Sequence, residues 1–178
     1  MTSALRGLSR TARVAWYRWF YRLPARWRRR LVRLAKPRFI VGAVVLLRDR
    51  DAPEPGRLLL VRQPPGHRWS LPGGLLNRNE PPAAAAAREL AEEVGIRLAP
   101  DELVEGTPNA VVHIDGRWID MVFEGRVPAD VAITVDGAEI YEAAFHPIDG
   151  LPPVTVPTAQ LLAYFGMGPY ATYPEVAG

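Results

Sequence analysis

Three glutamates, Glu89, Glu92 and Glu93, stand at i, i+3 and i+4 in a stretch of strong helix formers, so their carboxylates crowd one surface of the helix this stretch implies. The placement is unfavourable for a helix alone. In the last two turns the helix dipole opposes negative charge by roughly 0.3–1 kcal/mol per exposed group, and Lys or Arg would serve stability better. Arg88, four residues before Glu92, neutralises part of the cluster, but one arginine against three or four carboxylates leaves a deficit. A cation belongs there. All-oxygen donors at this density suit Mg2+ or Mn2+, whereas zinc prefers His or Cys, and the chain has no cysteine at all. Solvated acidic helix flank is the plain alternative, and the dipole argument weighs against it.

The stretch around these residues says how they are positioned. Asn79 is suited to cap the helix, with Glu80, Pro81 and Pro82 in the first turn. Residues 83–87 are all alanine, which propagates helix well, and Gly95 stands where a C′ glycine would end it. Ala83, Ala86, Ala87, Leu90 and Val94 recur at three- and four-residue spacing and form an apolar stripe; the small alanines let the helix lie close to a sheet.

Elsewhere the pattern is mostly strands. Residues 39–47 form a nine-residue apolar run that suits a buried strand and is too short to span a bilayer. Residues 51–56 are a turn, 57–62 a second strand, and 63–68 a loop with two prolines and Gly66. Strands over 102–114 and 117–124 flank Asp115-Gly116, a two-residue hairpin signal. Asp136-Gly137 marks another turn, residues 139–146 a last strand, 155–165 a short helix, and 166–178 a loose tail. His67 is expected exposed on its loop, and His113 in a strand with a structural partner.

Composition divides the chain. Its 178 residues, 48% hydrophobic and 23% charged, suffice for one domain plus an appendage. Without cysteine there are no disulfides, no thiolate metal site and no Cys nucleophile. The net charge of +3 conceals twelve basic and no acidic residues in 1–38, against 10 basic and 19 acidic in the rest. Residues 4–35 suggest two helices broken near Pro24. Trp16, Phe20, Leu23 and Trp27 follow helical spacing, continued by Leu31 and Leu34, among arginines. Three readings compete for this extension: an interfacial helix on an anionic membrane surface, a nucleic-acid or acidic-partner patch, or packing on its own domain or a second subunit as a homodimer. Arg28-Arg29-Arg30 hint at a twin-arginine signal, but the apolar run that follows, 39–47, has only nine residues and no small-residue cleavage site, so a cytoplasmic location is expected, with peripheral attachment to a membrane if the first reading holds.

Gly74, five residues, Glu80, seven residues, then Arg88-Glu89-Leu90-Ala91-Glu92-Glu93-Val94-Gly95-Ile96 resembles the Nudix box at every fixed position. The approach Trp69-Ser70-Leu71-Pro72-Gly73-Gly74 and the late run 139–152 are similar to the family as well, with Phe145 where a tryptophan is usual. This resemblance implies a mixed α/β/α sandwich over residues 37–167, preceded by a basic helical extension at 1–36 and followed by a tail at 168–178. It implies a Mg2+-dependent hydrolase, with Mn2+ as a substitute, that cleaves the pyrophosphate bond of a nucleoside diphosphate linked to another moiety. Glu89, Glu92, Glu93 and the Gly74 carbonyl match the metal positions, and Arg88 and Glu80 match the salt-bridging pair that orients them. The general base is Glu89 or a glutamate outside the box, Glu139 or Glu142. Asn77 and Asn79 depart from the family, which often has an acidic residue and a glycine there. The signatures of the NADH, coenzyme A and ADP-ribose subgroups are absent, leaving nucleotide, dinucleotide and sugar-nucleotide substrates. A nucleic-acid substrate fits poorly, because the domain beyond the extension is acidic. The alternative is a non-catalytic nucleotide-binding or regulatory module tethered by the basic extension; the intact set of glutamates argues against it.

Overall fold

A computed structural model of the chain describes residues 9–35, 39–113, 117–135 and 137–172. Two compact units arise, Met1–Phe39 and Ile40–Gly178.

In the first unit, α1 (Arg10–Arg22) begins at Ser9, whose hydroxyl accepts the Ala12 N–H at 3.3 Å. Pro24 cannot continue the α1 hydrogen-bond ladder, and α2 (Ala25–Ala35) follows it. The expected break near Pro24 is therefore found. The expected apolar stripe is not uniform: Phe20 is buried and Leu23 half-buried, but Trp27 is exposed. The side chains of Trp16, Leu31 and Leu34 lie outside the described residues.

The second unit is built on β1 (Ile40–Asp49). It pairs antiparallel with β2 (Arg57–Arg62) and β4 (Gly73–Leu75), and parallel with β6 (Trp118–Val127). Strand β3 (Trp69–Ser70) and β7 (Glu142–Pro147) add to β2, and β5 (Val104–Val112) adds antiparallel to β6. The sheet is thus mixed. Successive β1 side chains enter opposite cores: Val45 and Leu47 one, Leu46 the other. Both faces are covered, which is why the run is continuously apolar instead of alternating. On the first face α3 (Pro82–Val94) packs Ala86, Leu90 and Val94 against Val45, Leu59 and Phe123. Fully burying Leu90 and Val94 contributes roughly 1.5–3 kcal/mol each. On the second face α4 (Val156–Ala163) sets Leu161 and Leu162 against Leu46 and Val122. This is the α/β/α sandwich expected.

Several boundaries move. Glu102 closes a 3-10 turn, Pro100–Glu102, and the strand starts only at Val104; the turn is held by Glu102, whose carboxylate accepts the Ala99 N–H at 2.7 Å. The last strand starts at Glu142, not Glu139, because the Gly137 N–H bonds the Ile140 carbonyl at 3.0 Å and folds residues 137–141 into a bend. The C-terminal stretch is not loose from its start, since Met167 is buried and Tyr170 packs on the second core. Residues 114–116, with the Asp115-Gly116 hairpin signal, and Asp136 lie outside the described residues, as do 173–178.

Candidate active site

Asn79 does not cap α3. The helix starts at Pro82 with Pro81 in the cap position and no side-chain cap bond, while Asn79 sits in the left-handed region at φ 63. Asparagine tolerates that conformation better than most residues, and it makes the tight turn into the helix. Two consecutive prolines fix the helical entry without needing N–H partners. At the far end Gly95 is left-handed at φ 74, and its N–H bonds the Ala91 carbonyl at 3.2 Å. Glycine takes this conformation without a Cβ penalty.

Arg88 ties the turn to the helix. Its Nε and Nη2 donate to the two Glu80 oxygens at 2.8 and 3.0 Å, its Nη1 to Glu89 at 2.7 Å and Glu92 at 2.9 Å, and Nη2 also to the Leu75 carbonyl at 3.0 Å. The Asn77 N–H donates to Glu80 at 2.7 Å. These bonds, that of Arg88 foremost, hold the Glu80 carboxyl at about 2, below its ordinary 4.5. The guanidinium in turn is held more firmly protonated, chiefly by Glu80.

Glu89 and Glu93 bracket the glycines of β4. A Cβ on Gly74 would stand 2.4 Å from the Glu89 carboxyl carbon, so backbone and carboxylate touch directly. Glu93 is only 6% exposed. Its Oε2 accepts the Gly73 N–H at 2.9 Å and its Oε1 the Gln63 amide at 3.4 Å. Among the described residues no Lys or Arg pairs with it. Burial, against the opposing Gly73 bond, pushes its carboxyl up to about 7, and the charges of Glu89 and Glu139 push the same way.

Among the described residues no three acidic or histidine side chains converge as a preformed cation cage. Arg88 draws Glu89 and Glu92 toward itself, and Glu93 turns to Gly73. The chemistry of the donors nevertheless fits a hard divalent cation. Glu93 is a buried carboxylate whose charge is met by amide dipoles alone, and burial of an uncompensated charge is costly. Carboxylate and carbonyl oxygens are the ligands such a cation takes.

Of the two glutamates outside the box, Glu142 pairs with Arg62, whose guanidinium lies over the Trp69 ring at 5.3 Å and the Tyr141 ring at 4.8 Å. Glu139, on the bend before β7, is exposed and close enough for its charge to act on Glu93.

A cavity of about 930 Å³ opens beside Gly73 and Gly74. Val44, Leu71 and Leu161 give it apolar walls, and Gln63 links it to Glu93. The parallel register of β1 and β6 puts Gly42 beside Asp120, and a Cβ at Gly42 would meet Asp120 Oδ1 at 2.7 Å and the Gly74 carbonyl at 3.2 Å. Asp120 is buried; it accepts the Trp118 indole N–H at 2.6 Å and pairs with His113 Nε2 at 2.7 Å. His113 thus has the structural partner expected, and that pair lines the cavity. His67 is exposed as expected and lines the cavity too. Asp120, Trp118 and Thr158, which also lines the cavity, were not legible as cavity residues, although one carboxylate inside the apolar run Trp118 to Phe123 was a usable signal, since buried charge requires a partner.

The same architecture occurs in solved structures. The chain is similar to a MutT NUDIX hydrolase from Burkholderia pseudomallei, 29% identical over 73% of this chain and 97% of that one, with a TM-score of 0.56. It is also similar to a MutT protein from Methanosarcina mazei Go1, 26% identical over 73% and 89% of the two chains, TM-score 0.51. A MutT-like protein of Streptomyces ambofaciens is 50% identical over 50 residues, which are 28% of this chain and 32% of that protein, so the match spans about a third of that relative's length. The model of the NUDIX domain matches residues 36–165, so the chain belongs to the NUDIX domain family.

Proposed function

We propose that the chain is a Mg2+-dependent hydrolase that cleaves the pyrophosphate bond of a nucleoside diphosphate linked to another moiety. The observation that carries this is Glu93, a buried carboxylate with no basic partner among the described residues, adjoining a cavity of about 930 Å³ through Gly73 and Gln63. Glu89, Glu92, Glu93 and the Gly74 carbonyl would hold Mg2+, with Mn2+ as a substitute. The bound cation polarises phosphoryl oxygens and lowers the pKa of bound water. Arg88 holds Glu89 and Glu92 relative to the turn at Glu80, which restricts the positions their carboxylates can take. The apolar walls Val44, Leu71 and Leu161 take the nucleoside part, and the polar floor at Asp120 and His113 orients it.

In the chemical step a water oxygen attacks one phosphorus and its proton passes to a glutamate, while the bond from that phosphorus to the bridging oxygen breaks and the pair of electrons leaves with the second phosphate. Glu139 is the base. It is exposed on the bend before β7, and its charge reaches Glu93. Glu139→Gln should lower kcat by roughly a hundred- to ten-thousand-fold with KM little changed, and Glu142→Gln by less than about tenfold, the loss expected from disturbing a half-exposed pair. Steady-state kinetics of the two variants decide it; the reverse order would move the base to Glu142.

The activity itself is tested by a panel of nucleoside diphosphate derivatives, dinucleotides and nucleoside triphosphates, read as release of phosphate or nucleoside monophosphate. Turnover with Mg2+ that vanishes with chelator is expected. Binding of panel members without turnover would instead establish a non-catalytic module.

A further inference from the structure

We propose that the helical pair α1–α2 is an attachment surface for an anionic lipid bilayer. Residues 1–38 hold twelve basic side chains and no carboxylate, so none of these arginines has an acidic partner within its own helices. Neither helix has an acidic residue in its first turn, where the dipole would favour one. Arg18 and Arg22 repel one another at i, i+4 on α1, and Arg26 and Arg30 do so on α2. A helix built for water would interleave glutamate; this sequence leaves the compensating negative charge to something outside the two helices.

The same faces expose apolar groups. On α1, Val14, Arg18, Tyr21 and Arg22 share one face at i, i+4, i+7 and i+8, and Trp19 lies on its flank; Trp19 is 54% exposed and Tyr21 65%. On α2, Trp27 is 48% exposed between Arg26 and Arg30, and the Arg30 guanidinium lies over its ring at 5.3 Å. Cationic heads on aliphatic stems beside amphipathic rings match the boundary between phosphate and acyl chains, where each part meets its preferred medium. Val14 and Val32 are exposed as well. Aliphatic side chains have no ring face on which a nucleobase stacks, but an acyl layer buries them, which favours lipid over RNA. At 13 and 11 residues the helices measure about 20 Å and about 17 Å. A hydrocarbon core is about 30 Å thick, so they lie in the interface plane; among the described residues no helix is long and apolar enough to cross a membrane.

The test is co-sedimentation of the full chain with phosphatidylcholine vesicles, with and without phosphatidylglycerol, at low and high salt. Binding that needs phosphatidylglycerol, weakens with salt and shifts tryptophan emission to the blue is expected. In Arg26→Gln/Arg29→Gln/Arg30→Gln the partition coefficient should fall roughly a hundredfold at low salt, at the contribution of a basic residue near such a surface. Trp19→Ser/Trp27→Ser should also weaken binding while keeping its salt dependence. Thermal unfolding of residues 40–178 should be unchanged in both, which would show that the domain is folded. Three results would overturn the proposal: no sedimentation with phosphatidylglycerol vesicles, sedimentation insensitive to these substitutions, or capture by single-stranded RNA or by a second copy of the chain with the vesicles left unbound.

Discussion

Glu93→Gln is expected to cut turnover by roughly a hundred- to ten-thousand-fold at saturating Mg2+, the equivalent of several kcal/mol of lost charge stabilisation, while making the cation-free protein more stable at neutral pH. The two effects have one cause. The carboxyl of Glu93 is raised by burial from its ordinary 4.5 to about 7. Between those values the folded protein holds a proton that the unfolded chain has released, so stability falls as pH rises through that window and the loss is complete above about 7. A shift of this size corresponds to roughly 3 kcal/mol. Glutamine removes the charge and still accepts the Gly73 N–H, so the variant should lose this pH dependence. Mg2+ should remove it from the wild type as well, because bound cation favours the ionised form. Denaturant unfolding at mildly acidic and mildly alkaline pH, with and without Mg2+, reads all four cases. Wild-type stability rising across the window would show that Glu93 is ionised in the fold without a cation, and near-native turnover in Glu93→Gln would remove it from the site.

Arg88→Lys keeps the charge and should still lower kcat by about a hundredfold or more. One guanidinium makes five hydrogen bonds here, two to Glu80, one each to Glu89, Glu92 and the Leu75 carbonyl. A lysine ammonium has three donors and no planar fork, so it cannot hold Glu80 and the helix glutamates together. Lost bonds to charged partners typically contribute about 1.5–3 kcal/mol each, and effective alignment of the carboxylates depends on them. Stopped-flow or steady-state kinetics together with thermal unfolding separate the effects: a large drop in kcat with a modest drop in Tm is expected. Wild-type kcat in the lysine variant would mean that charge, not geometry, is what Arg88 supplies.

The helix that carries these residues was legible because its signals are local. Five alanines, paired prolines and a terminal glycine act over a single turn each, and α3 spans Pro82–Val94 with Gly95 left-handed. Its apolar stripe was legible for the same reason. Asn79 shows the limit: its type suits either a cap or a left-handed turn residue, and only the path of the chain from Leu75 into Pro81 selects the second. Glu139 and Glu142 were equivalent as sequence. Only the tertiary structure separates their surroundings, since register places Glu142 opposite Arg62 and Glu139 lies on the bend before the strand.

By itself the sequence determined the carboxylate helix, its stripe, the buried central strand and the division between a basic extension and an acidic domain. Those follow from periodicity, propensity and charge, which are properties of neighbours in the chain. Tertiary structure alone decided the rest. The parallel register of β1 with β6 carries Asp120, seventy-eight positions from Gly42, to the glycine's side and so to the Gly74 carbonyl. Folding of β4 onto β1 sets the Gly73 N–H against Glu93, twenty residues on. Burial then turns an ordinary glutamate into one with a carboxyl near 7, and burial is a property of the packed sheet and helix together, which no local spacing encodes.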